Sequence, residues 1–309
     1  MLYFLHMDKL YNIKIFYSKD WQDYELLDTG GGEKLERFGK YIFVRPYEDA
    51  VWKKTLTEKE WNEADGKFWS SKVGAKAGWK MSKAGFDKWE MSYKNIKFFA
   101  FPTPFRHLGF FPEQASHWDF IKNAIKSSGR KIRFLNLFGY TGVASLFALR
   151  AGAEVTHLDA SKQILNWAKE NQKLSGLDKL PMRVIEDDAI KFLEREEKRG
   201  NRYDAIIMDP PKFGRGPKGE VWKMEEMLPK LLSSARKVLS DKPLFVILTS
   251  YSIDSSSLSL GYALEEMMKP ARQLAGGDFF GTVVAGKLCI LEKSNNRFIP
   301  LANTAIWSV

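Results

Sequence analysis

Hydrophobic and polar residues follow two different patterns along the chain, and the change of pattern divides it into two parts. From about residue 132 onward, short apolar runs of strand length alternate with longer segments whose apolar residues recur at helical spacing. Strands are predicted at 132–138, 154–158, 182–186, 203–208 and 244–249. Helices are predicted at 143–152, 161–174, 189–199 and 225–239. Strands joined by helical crossovers favour a parallel, doubly wound α/β sheet.

The C-terminal end breaks this alternation. Two further strand candidates, 280–284 and 287–292, flank the dipeptide Ala285 and Gly286. Two apolar runs separated by such a pair predict a β-hairpin. We therefore expect an antiparallel edge on an otherwise parallel sheet.

The N-terminal third has a different composition. Residues 1–20 predict an irregular lead-in, and 24–46 predict two short strands around three consecutive glycines. Thr57 is predicted to cap a helix at 58–68, and 90–101 predicts a strand pair. We expect two domains, a small α+β unit and a larger α/β unit, at 1–105 and 106–309.

Composition limits the possible settings of the protein. The chain has 309 residues, of which 44% are hydrophobic, and a formal net charge of +10. A basic surface favours an anionic partner such as nucleic acid. The single cysteine, Cys289, allows neither an internal disulfide nor a cysteine-rich metal site, so no metal is expected. The apolar start of the chain is too short for a signal peptide, and no run of about 18 apolar residues predicts a membrane span. A soluble, cytoplasmic protein is expected.

A lysine-rich segment lies in the predicted N-terminal domain. Residues 67–97 contain eight lysines and two acids, with Trp69, Trp79 and Trp89 between them. Single-stranded nucleic acid is bound by cations that contact phosphates and by rings on which bases stack. The alternative is a lysine-coated surface over a small domain that buried tryptophans anchor. The sequence leaves both interpretations open.

The stretch 131–161 has the order strand, glycine turn, helix, strand, acid. This is the pattern of a nucleotide-binding βαβ unit, in which Gly139 and Gly142 leave room for a ligand. Asn136 and the two glycines have the spacing N-x-x-G-x-x-G, without the third glycine of a dinucleotide site. No Gly-Lys-Ser/Thr follows, which excludes a P-loop. A nucleoside-containing cofactor other than a nicotinamide dinucleotide is favoured.

Acidic residues follow three of the predicted strands. Asp159 follows the second strand, Asp187 and Asp188 follow the third, and Asp209 follows the fourth. Ligands of open α/β sheets gather at the carboxyl ends of the strands. The three positions suit, in order, ribose hydroxyls, an adenine amino group and a cationic centre. Asp188 is also a good helix N-cap, so capping alone is the alternative for a single acid.

The loop that begins at Asp209 is the most specific short sequence, DPPKFGRGPKGEVWK. Its two prolines stiffen a turn and leave carbonyl oxygens to accept from an exocyclic amine of a base. Phe213 or Trp222 is expected to stack on that base. The loop carries cations that suit a phosphate-bearing substrate, Lys212, Arg215, Lys218 and Lys223.

The segment 106–118 joins the two predicted domains. Phe111 is placed to lie against a flat ring, and Gln114 to hydrogen-bond a polar edge of a cofactor. A hinge anchored by packed aromatic residues is the alternative.

These motifs together resemble a known family. Over about 106–252 this chain contains, in order, the motifs GFFPEQ, NLFGYTG, HLDAS, EDDAIKFL and DPPKF. In this order they resemble the motifs of class I S-adenosylmethionine-dependent methyltransferases of the group containing bacterial 23S ribosomal RNA base methyltransferases. The resemblance implies a seven-stranded, mostly parallel Rossmann-like sheet, S-adenosylmethionine as cofactor and an RNA partner. The N-terminal PUA domain of many members is expected to be absent.

The resemblance also implies roles for single residues. Gly139 and Gly142 would approach the methionine part of the cofactor, Asp159 its ribose and Asp188 its adenine. The full expected cofactor site is Phe111, Gln114, Asn136, Phe138, Gly139, Thr141, Gly142, Asp159, Asp187, Asp188, Ala189 and Asp209. The expected catalytic residues are Asp209, Pro210, Pro211 and Phe213. The expected substrate-binding residues are Lys212, Arg215, Lys218, Trp222 and Tyr251.

One departure from the family pattern bears on the methylated atom. Members that form 5-methylcytosine use a cysteine just after the fifth strand, because carbon 5 needs a thiolate to add to the ring. This sequence has Ser250, Tyr251 and Ser252 there. A nitrogen of a base, for example of guanine, is therefore preferred. Two other functions stay open: a small-molecule or protein methyltransferase whose N-terminal segment is a lid, and a cofactor-binding protein without catalysis.

Overall fold

The structure is a computed structural model that describes residues 12–69, 77–82, 86–252, 256–269 and 281–309. The residues considered above for a signal peptide, and part of the lysine-rich segment 67–97, lie outside the described residues.

The described residues form the following elements. The strands are β1 (Lys14–Phe16), β2 (Tyr24–Gly30), β3 (Glu33–Phe38), β4 (Tyr41–Pro46), β5 (Gly66–Trp69), β6 (Gly78–Met81), β7 (Trp89–Tyr93), β8 (Ile96–Ala100), β9 (Arg133–Leu137), β10 (Glu154–Asp159), β11 (Met182–Glu186), β12 (Ala205–Met208), β13 (Phe213–Arg215), β14 (Val221–Lys223), β15 (Phe245–Ser250), β16 (Thr282–Leu291) and β17 (Phe298–Ser308). The helices are α1 (Glu58–Asn62), α2 (Ala115–Ser127), α3 (Val143–Arg150), α4 (Lys162–Leu174), α5 (Ala189–Lys198), α6 (Met224–Lys237) and α7 (Ser257–Met268). A short 3₁₀ turn, Pro112–Gln114, precedes α2.

A large sheet of eight strands organises the molecule, in the order β1-β16-β17-β15-β12-β9-β10-β11. The five strands from β15 to β11 are parallel to one another, whereas β17 is antiparallel to both of its neighbours. The predicted mostly parallel α/β sheet with an antiparallel end is thereby confirmed. β1 adds an eighth strand to the seven expected, because part of the predicted irregular lead-in pairs with β16.

Apolar side chains alternate between the two faces of this sheet, and each face is covered. On one face, Phe134, Ile207 and Ile247 share a core with α2, α3 and residues of the N-terminal strands. On the other face, Leu135, Leu137 and side chains of α5, α6 and α7 form a second core. A parallel sheet buried on both faces needs such near-continuous apolar strands.

The N-terminal strands form a five-stranded sheet, β2-β3-β4-β5-β6, and a separate pair, β7-β8. Their buried residues, among them Phe38, Phe43 and Phe98, belong to the same apolar core as Trp118 of α2. A bridge between Leu26 and Glu292 also connects this region to the end of β16. The division of the chain at residue 105 remains a prediction.

The predicted turn at Ala285 and Gly286 is wrong. Both residues lie inside the ten-residue strand β16, and the turn of the hairpin is formed by 292–297, where Glu292 N donates to Arg297 O at 2.8 Å. The reason is the position of β1. Gly286 is the partner of Lys14, and a Cβ atom at Gly286 would lie 2.1 Å from Lys14 O. The glycine therefore marks a close approach of two strands.

Other differences are smaller. The predicted helix at 58–68 ends at Asn62, because Gly66–Trp69 pairs with β4 and β6. Its predicted cap is confirmed: Thr57 accepts from Glu60 N, and the Glu60 carboxylate accepts from Thr57 N. The region 24–46 forms three strands where two were predicted. The elements α2, α7, β13 and β14 were not predicted.

The tryptophans of the lysine-rich segment have different environments. Trp79 donates from Nε1 to Thr103 O at 2.8 Å, and Trp89 stacks on Phe43 with ring centroids 5.9 Å apart. These two rings are held by contacts within the N-terminal region, as the alternative interpretation expected of tryptophans. Trp69 is 44% exposed.

Among the helices of the described residues, none combines the length and apolar composition that crossing a membrane requires.

Gly286→Ala tests the contact between β1 and β16. The added methyl group overlaps Lys14 O, so β1 must shift away, and we expect a loss of about 1–3 kcal/mol in the free energy of unfolding, as for other overpacked sites. Urea denaturation measures it. Gly78→Ala is the matched control in another strand, where the new Cβ meets only ordinary contacts at 3.6 Å. Equal stability of the two variants would contradict the assignment.

Candidate active site

A cavity of about 630 Å³ opens at the carboxyl ends of the parallel strands, where loops after β9, β10, β11, β12 and β15 meet. It is lined by Arg106, His107, Phe111, Phe138, Tyr140, Leu158, Asp159, Ala160, Ser161, Asp187, Asp188, Ala189, Asp209, Pro210, Pro211, Lys212, Gly214, Arg215, Gly216, Trp222, Tyr251 and Ser252. Its volume is in the range of about 300–1,000 Å³ that is typical of small-molecule sites.

A recess of about 60 Å³ adjoins this cavity and shares Phe111, Phe138, Tyr140 and Asp209 with it. Its other walls include Gln114, Asn136, Gly139, Thr141 and Gly142. All residues of the expected cofactor site therefore line one of the two spaces. Among the expected catalytic and substrate-binding residues, Phe213 and Lys218 lie outside both linings. The structure does not bring these two side chains into the cavity, because β13 and the turn after it lead them to the surface.

The glycine loop after β9 rests on a buried histidine, His157. Its Nε2 donates to Tyr140 O at 3.2 Å, and its Nδ1 accepts from Ser145 Oγ at 2.9 Å. Asn136 Nδ2 donates to the same hydroxyl at 3.0 Å. Burial lowers the pKa of His157 to about 4, so the ring is neutral near pH 7. Each group then donates a hydrogen bond to the next, from Asn136 to Ser145, from Ser145 to His157 and from His157 to Tyr140 O.

This histidine explains why Gly139 has no side chain. A Cβ atom there would lie 2.3 Å from the imidazole of His157, so the position is closed by the protein itself. The sequence interpretation attributed the small residue to a ligand. At Gly142 the φ angle of +87° requires glycine at the start of α3. The hydroxyl of Thr141 donates a hydrogen bond to Gly109 O, so its proton is already used within the protein.

Asp159 is the last residue of β10 and accepts hydrogen bonds from backbone N–H groups. Its two carboxylate oxygens accept from Tyr140 N and Ser161 N, each at 3.0 Å. Burial raises the pKa of Asp159, and these hydrogen bonds oppose the rise. A carboxylate has about four acceptor sites, so two N–H donors leave capacity for hydroxyl groups of a ligand.

The two acids after β11 have partners within the chain. Asp187 forms an ion pair with Arg195 and accepts from Asp188 N at 2.9 Å. Asp188 caps α5, because its Oδ1 accepts from Lys191 N at 3.0 Å. Both residues still line the cavity, so capping and ligand binding are compatible there.

Asp209 has the most unusual environment of the strand-end acids. Its Oδ2 accepts from Gln114 Nε2 at 3.1 Å, whereas its buried Oδ1 has no hydrogen-bond partner among the described residues. Burial, followed by repulsion from Glu113, raises the pKa of Asp209 to about 7. A buried carboxyl oxygen without a donor is costly, and in a cleft it indicates a ligand-binding role.

Gln114 is itself held in one orientation. Its Nε2 also donates to Tyr251 OH at 3.2 Å, and its Oε1 accepts from His117 Nδ1 at 2.7 Å. The other ring nitrogen of His117 lies 3.1 Å from Thr304 Oγ1 on β17. Burial lowers the pKa of His117 to about 3, so the ring stays neutral. With Nδ1 protonated, His117 donates to Oε1 and thereby keeps the amide from turning Oε1 toward the carboxylate of Asp209.

The loop after Asp209 folds into a small ribbon of β13 and β14. Trp222 is buried, lies 5.0 Å from Phe138 between ring centroids, and donates from Nε1 to Pro211 O at 2.6 Å. The carbonyl of Pro211 is therefore used within the protein. The expectation that both proline carbonyls face a substrate is corrected at this residue.

The sequence predicted no site role for part of the cavity wall, including Arg106, His107, Tyr140 and Ser161. Arg106 is positioned by the N-terminal sheet, because Arg45 donates to Arg106 O at 3.0 Å and is paired with Glu36 at 2.6 Å. No local pattern reports such a contact. His117 and its α2 helix gave no signal either, since a lone buried histidine has no sequence signature.

Metal ligands and a reactive thiol are not gathered at this cavity. The described residues contain no group of three or more His, Cys, Asp or Glu side chains arranged to hold a metal ion. Cys289 lies buried in β16, and burial raises its pKa to about 11.

The sequence is similar to proteins of known families. The family described as S-adenosylmethionine-dependent methyltransferase matches residues 76–242, more than half of the chain. The ribosomal RNA large subunit methyltransferase K of Neisseria meningitidis is 32% identical over 142 residues, which are 44% of this chain and 40% of that protein. The ribosomal RNA large subunit methyltransferase I of Klebsiella pneumoniae is 42% identical over 82 residues, 26% of this chain and 20% of that protein. The chain thus matches less than half the length of these curated relatives.

Solved structures extend the similarity to nearly the whole chain. The S-adenosylmethionine-dependent methyltransferase from Agrobacterium tumefaciens is 43% identical, with a TM-score of 0.87 over 96% of this chain and 93% of that one. A second structure, described as a putative S-adenosylmethionine-dependent methyltransferase from Streptococcus mutans, has a TM-score of 0.71 at 16% identity over 94% of this chain and 76% of that one, and shows the fold alone. The family match and the near-complete structural relative confirm the resemblance seen in the motifs: the chain belongs to the S-adenosylmethionine-dependent methyltransferases, and S-adenosylmethionine is its cofactor.

Proposed function

We propose that this chain methylates a nitrogen atom of a base in RNA, with large-subunit ribosomal RNA as the substrate. The observation that carries the proposal is the buried Oδ1 of Asp209, an acceptor without a donor beside the cofactor cavity. An N–H group of a base supplies the missing donor.

The residues of the cavity fit the cofactor. The free acceptor capacity of Asp159 suits the two ribose hydroxyls, and Asp188 at the start of α5 suits the adenine amino group. The recess at the glycine loop takes the methionine part. When bound, the cofactor supplies a methyl group activated by a positively charged sulfur.

The protein's part in the reaction is to orient the acceptor. The Asp209 carboxylate accepts from the N–H of the base and directs the nitrogen lone pair into the cavity, while Gln114 keeps the carboxylate in place. Phe111, Tyr140 and Tyr251 form an aromatic wall with ring centroids 5.0–5.5 Å apart, against which a flat base can lie. Such alignment contributes up to about 7–11 kcal/mol in well-oriented reactions, so no covalent intermediate is needed. Proton loss from the nitrogen comes late and can go to water.

Nitrogen is preferred over cytosine carbon 5 because the site lacks the nucleophile that carbon 5 requires. The sequence contains one cysteine, and Cys289 is not among the residues that line the cavity. Ser252 and Tyr251 stand after β15, where the thiolate would be needed.

An RNA substrate is supported by the names of the curated relatives and by the charge of the chain. Both relatives described above are ribosomal RNA large subunit methyltransferases. The net charge of +10 and the basic residues Arg106, Lys212 and Arg215 around the cavity suit a phosphate backbone. A base within a helix must be flipped out to reach the cavity.

Nucleoside mass spectrometry tests the proposal. Ribosomal RNA from a strain that lacks the gene is incubated with the protein and tritiated cofactor, and label is expected in a nucleoside methylated on nitrogen. Asp209→Asn is the paired variant: we expect at least a tenfold lower kcat and retained cofactor binding. Label in 5-methylcytosine, or only in small molecules or protein, would contradict the proposal. Binding of the cofactor without transfer to any acceptor would indicate a non-catalytic protein.

His117 is predicted to act on the reaction by positioning Gln114. His117→Phe keeps a ring but removes the donor to Gln114 Oε1, so the amide is free to flip away from Asp209. We expect kcat to fall about tenfold, equivalent to about 1.4 kcal/mol. The midpoint of the rising limb of the pH profile should move to higher pH, because Gln114 lowers the pKa of Asp209.

Thr304→Val is the matched control, since it removes the hydroxyl beside the other ring nitrogen of His117, together with its hydrogen bond to Leu248 O, and keeps the imidazole next to Gln114. Thermal denaturation of both variants measures the purely structural loss. A wild-type pH profile for His117→Phe, or equal kinetic loss in both variants, would show that His117 serves stability alone.

A further inference from the structure

The ribbon of β13 and β14 has two different faces. Its register pairs Phe213 with Lys223, Gly214 with Trp222, and Arg215 with Val221. Side chains alternate between the faces of a strand, so Gly214 and Trp222 share the inner face, and both line the cavity. The other four residues share the outer face and are exposed, and Arg215, at the end of β13, also reaches the lining of the cavity.

The outer face combines apolar and basic side chains. Phe213 is 57% exposed and Val221 is 48% exposed. They are diagonal neighbours on an antiparallel pair, with Arg215 and Lys223 at the remaining corners. A single exposed ring is common on protein surfaces, but a ring beside cations and next to an active-site cavity matches the arrangement on which unpaired bases stack.

The charges of this segment favour an anionic partner. Residues 212–223 contain four basic residues and one acid, a net charge of +3, and one of the basic residues, Lys223, is paired with Glu226 at 2.8 Å. The acid, Glu220, is neutralised within the protein, because its carboxylate accepts from Lys191 Nζ at 2.5 Å and from Lys218 N at 2.9 Å. The side chains of Arg215 and Lys218 have no ion-pair or hydrogen-bond partner in the part of the chain that the structure describes.

We propose that this outer face binds single-stranded RNA next to the methylated nucleotide. One unpaired neighbouring base stacks on Phe213, and the adjoining phosphates contact Arg215 and Lys218. The inner face of the same ribbon forms a wall of the cavity, so a base in the cavity places its neighbours along the outer face. This inference rests on the proposed function and specifies how its substrate is held.

RNA is favoured over a protein partner by the size and character of the face. Stable protein interfaces cover about 800 Å² on each side and have an apolar centre, whereas two apolar side chains among cations form a small surface. Aromatic rings flanked by cations are the recurring arrangement of single-strand binding sites. In the N-terminal region the rings of Trp79 and Trp89 are packed, whereas Trp69 is exposed but does not adjoin the cavity lining.

The test compares three variants on protein-free ribosomal RNA from a strain that lacks the gene. Phe213→Ala should lower kcat/KM for RNA about tenfold, mainly through KM, because a stacking contact outside the cavity is lost. Phe213→Tyr should restore kcat/KM to within about threefold, because every aromatic ring offers a face for stacking. Leu180→Ala is the matched control. Leu180 is an apolar side chain that is 42% exposed, and it lies before the start of β11, at the end of the sheet away from the cavity. This variant should behave as wild type. Cofactor affinity, measured by calorimetry, should be the same in all variants.

Salt dependence tests the phosphate contact separately. Arg215→Gln should make the slope of log kcat/KM against log salt concentration shallower by about 0.7, as for one lost contact to a single strand. An unchanged slope removes the phosphate contact from the proposal.

Three outcomes overturn the inference or its basis. Equal kcat/KM for wild type and Phe213→Ala removes this surface while the proposed function stands. A loss with whole ribosomal particles but not with protein-free RNA assigns the face to a protein partner. No transfer by the wild-type protein to any RNA removes the proposed function and the surface with it.

Discussion

The active site depends on a buried carboxylate that receives one hydrogen bond from the described residues. Asp209 directly follows the central strand β12, and Gln114 donates to one of its oxygens while the other has no partner among the described residues. Burying such a group is unfavourable unless something else completes its hydrogen bonds. Asp209 lines both the cavity and the glycine recess, and the proposed function places the acceptor nitrogen beside its unpaired oxygen.

Two neutral histidines hold the two sides of this site. His157 lies under the glycine loop and binds its backbone, whereas His117 fixes the amide that contacts Asp209. Both are fully buried, and burial lowers both pKa values well below 6.5, so neither ring takes up a proton near neutral pH. His157 fixes the geometry of the glycine loop in the cofactor recess. His117 fixes the Gln114 amide that contacts Asp209.

Much of the catalytic fold was predictable from the sequence because it is encoded locally. The strand β11 was predicted with its observed ends, and acids at the ends of three parallel strands indicated the cavity correctly. The turn predicted at Gly286 was wrong because this glycine is required by the close approach of β1, a strand from the other end of the chain. Gly139 lines the recess as expected for a ligand-facing residue, but its contact with His157 on the neighbouring strand was not predictable from the sequence. Contacts of this kind leave no periodic signal.

The most direct test of the central claim is the titration of Asp209 itself. Aspartate labelled with ¹³C at Cγ is followed by NMR in the free protein, and Asp209→Asn assigns the resonance. We expect the carboxyl to titrate near pH 7 in the free protein, so that it is protonated below that pH and ionised above it. Binding of the positively charged cofactor should move the midpoint to lower pH, because a nearby cation favours the ionised form. A carboxyl that stays ionised down to pH 4 in the free protein, with no change when the cofactor binds, would contradict the account.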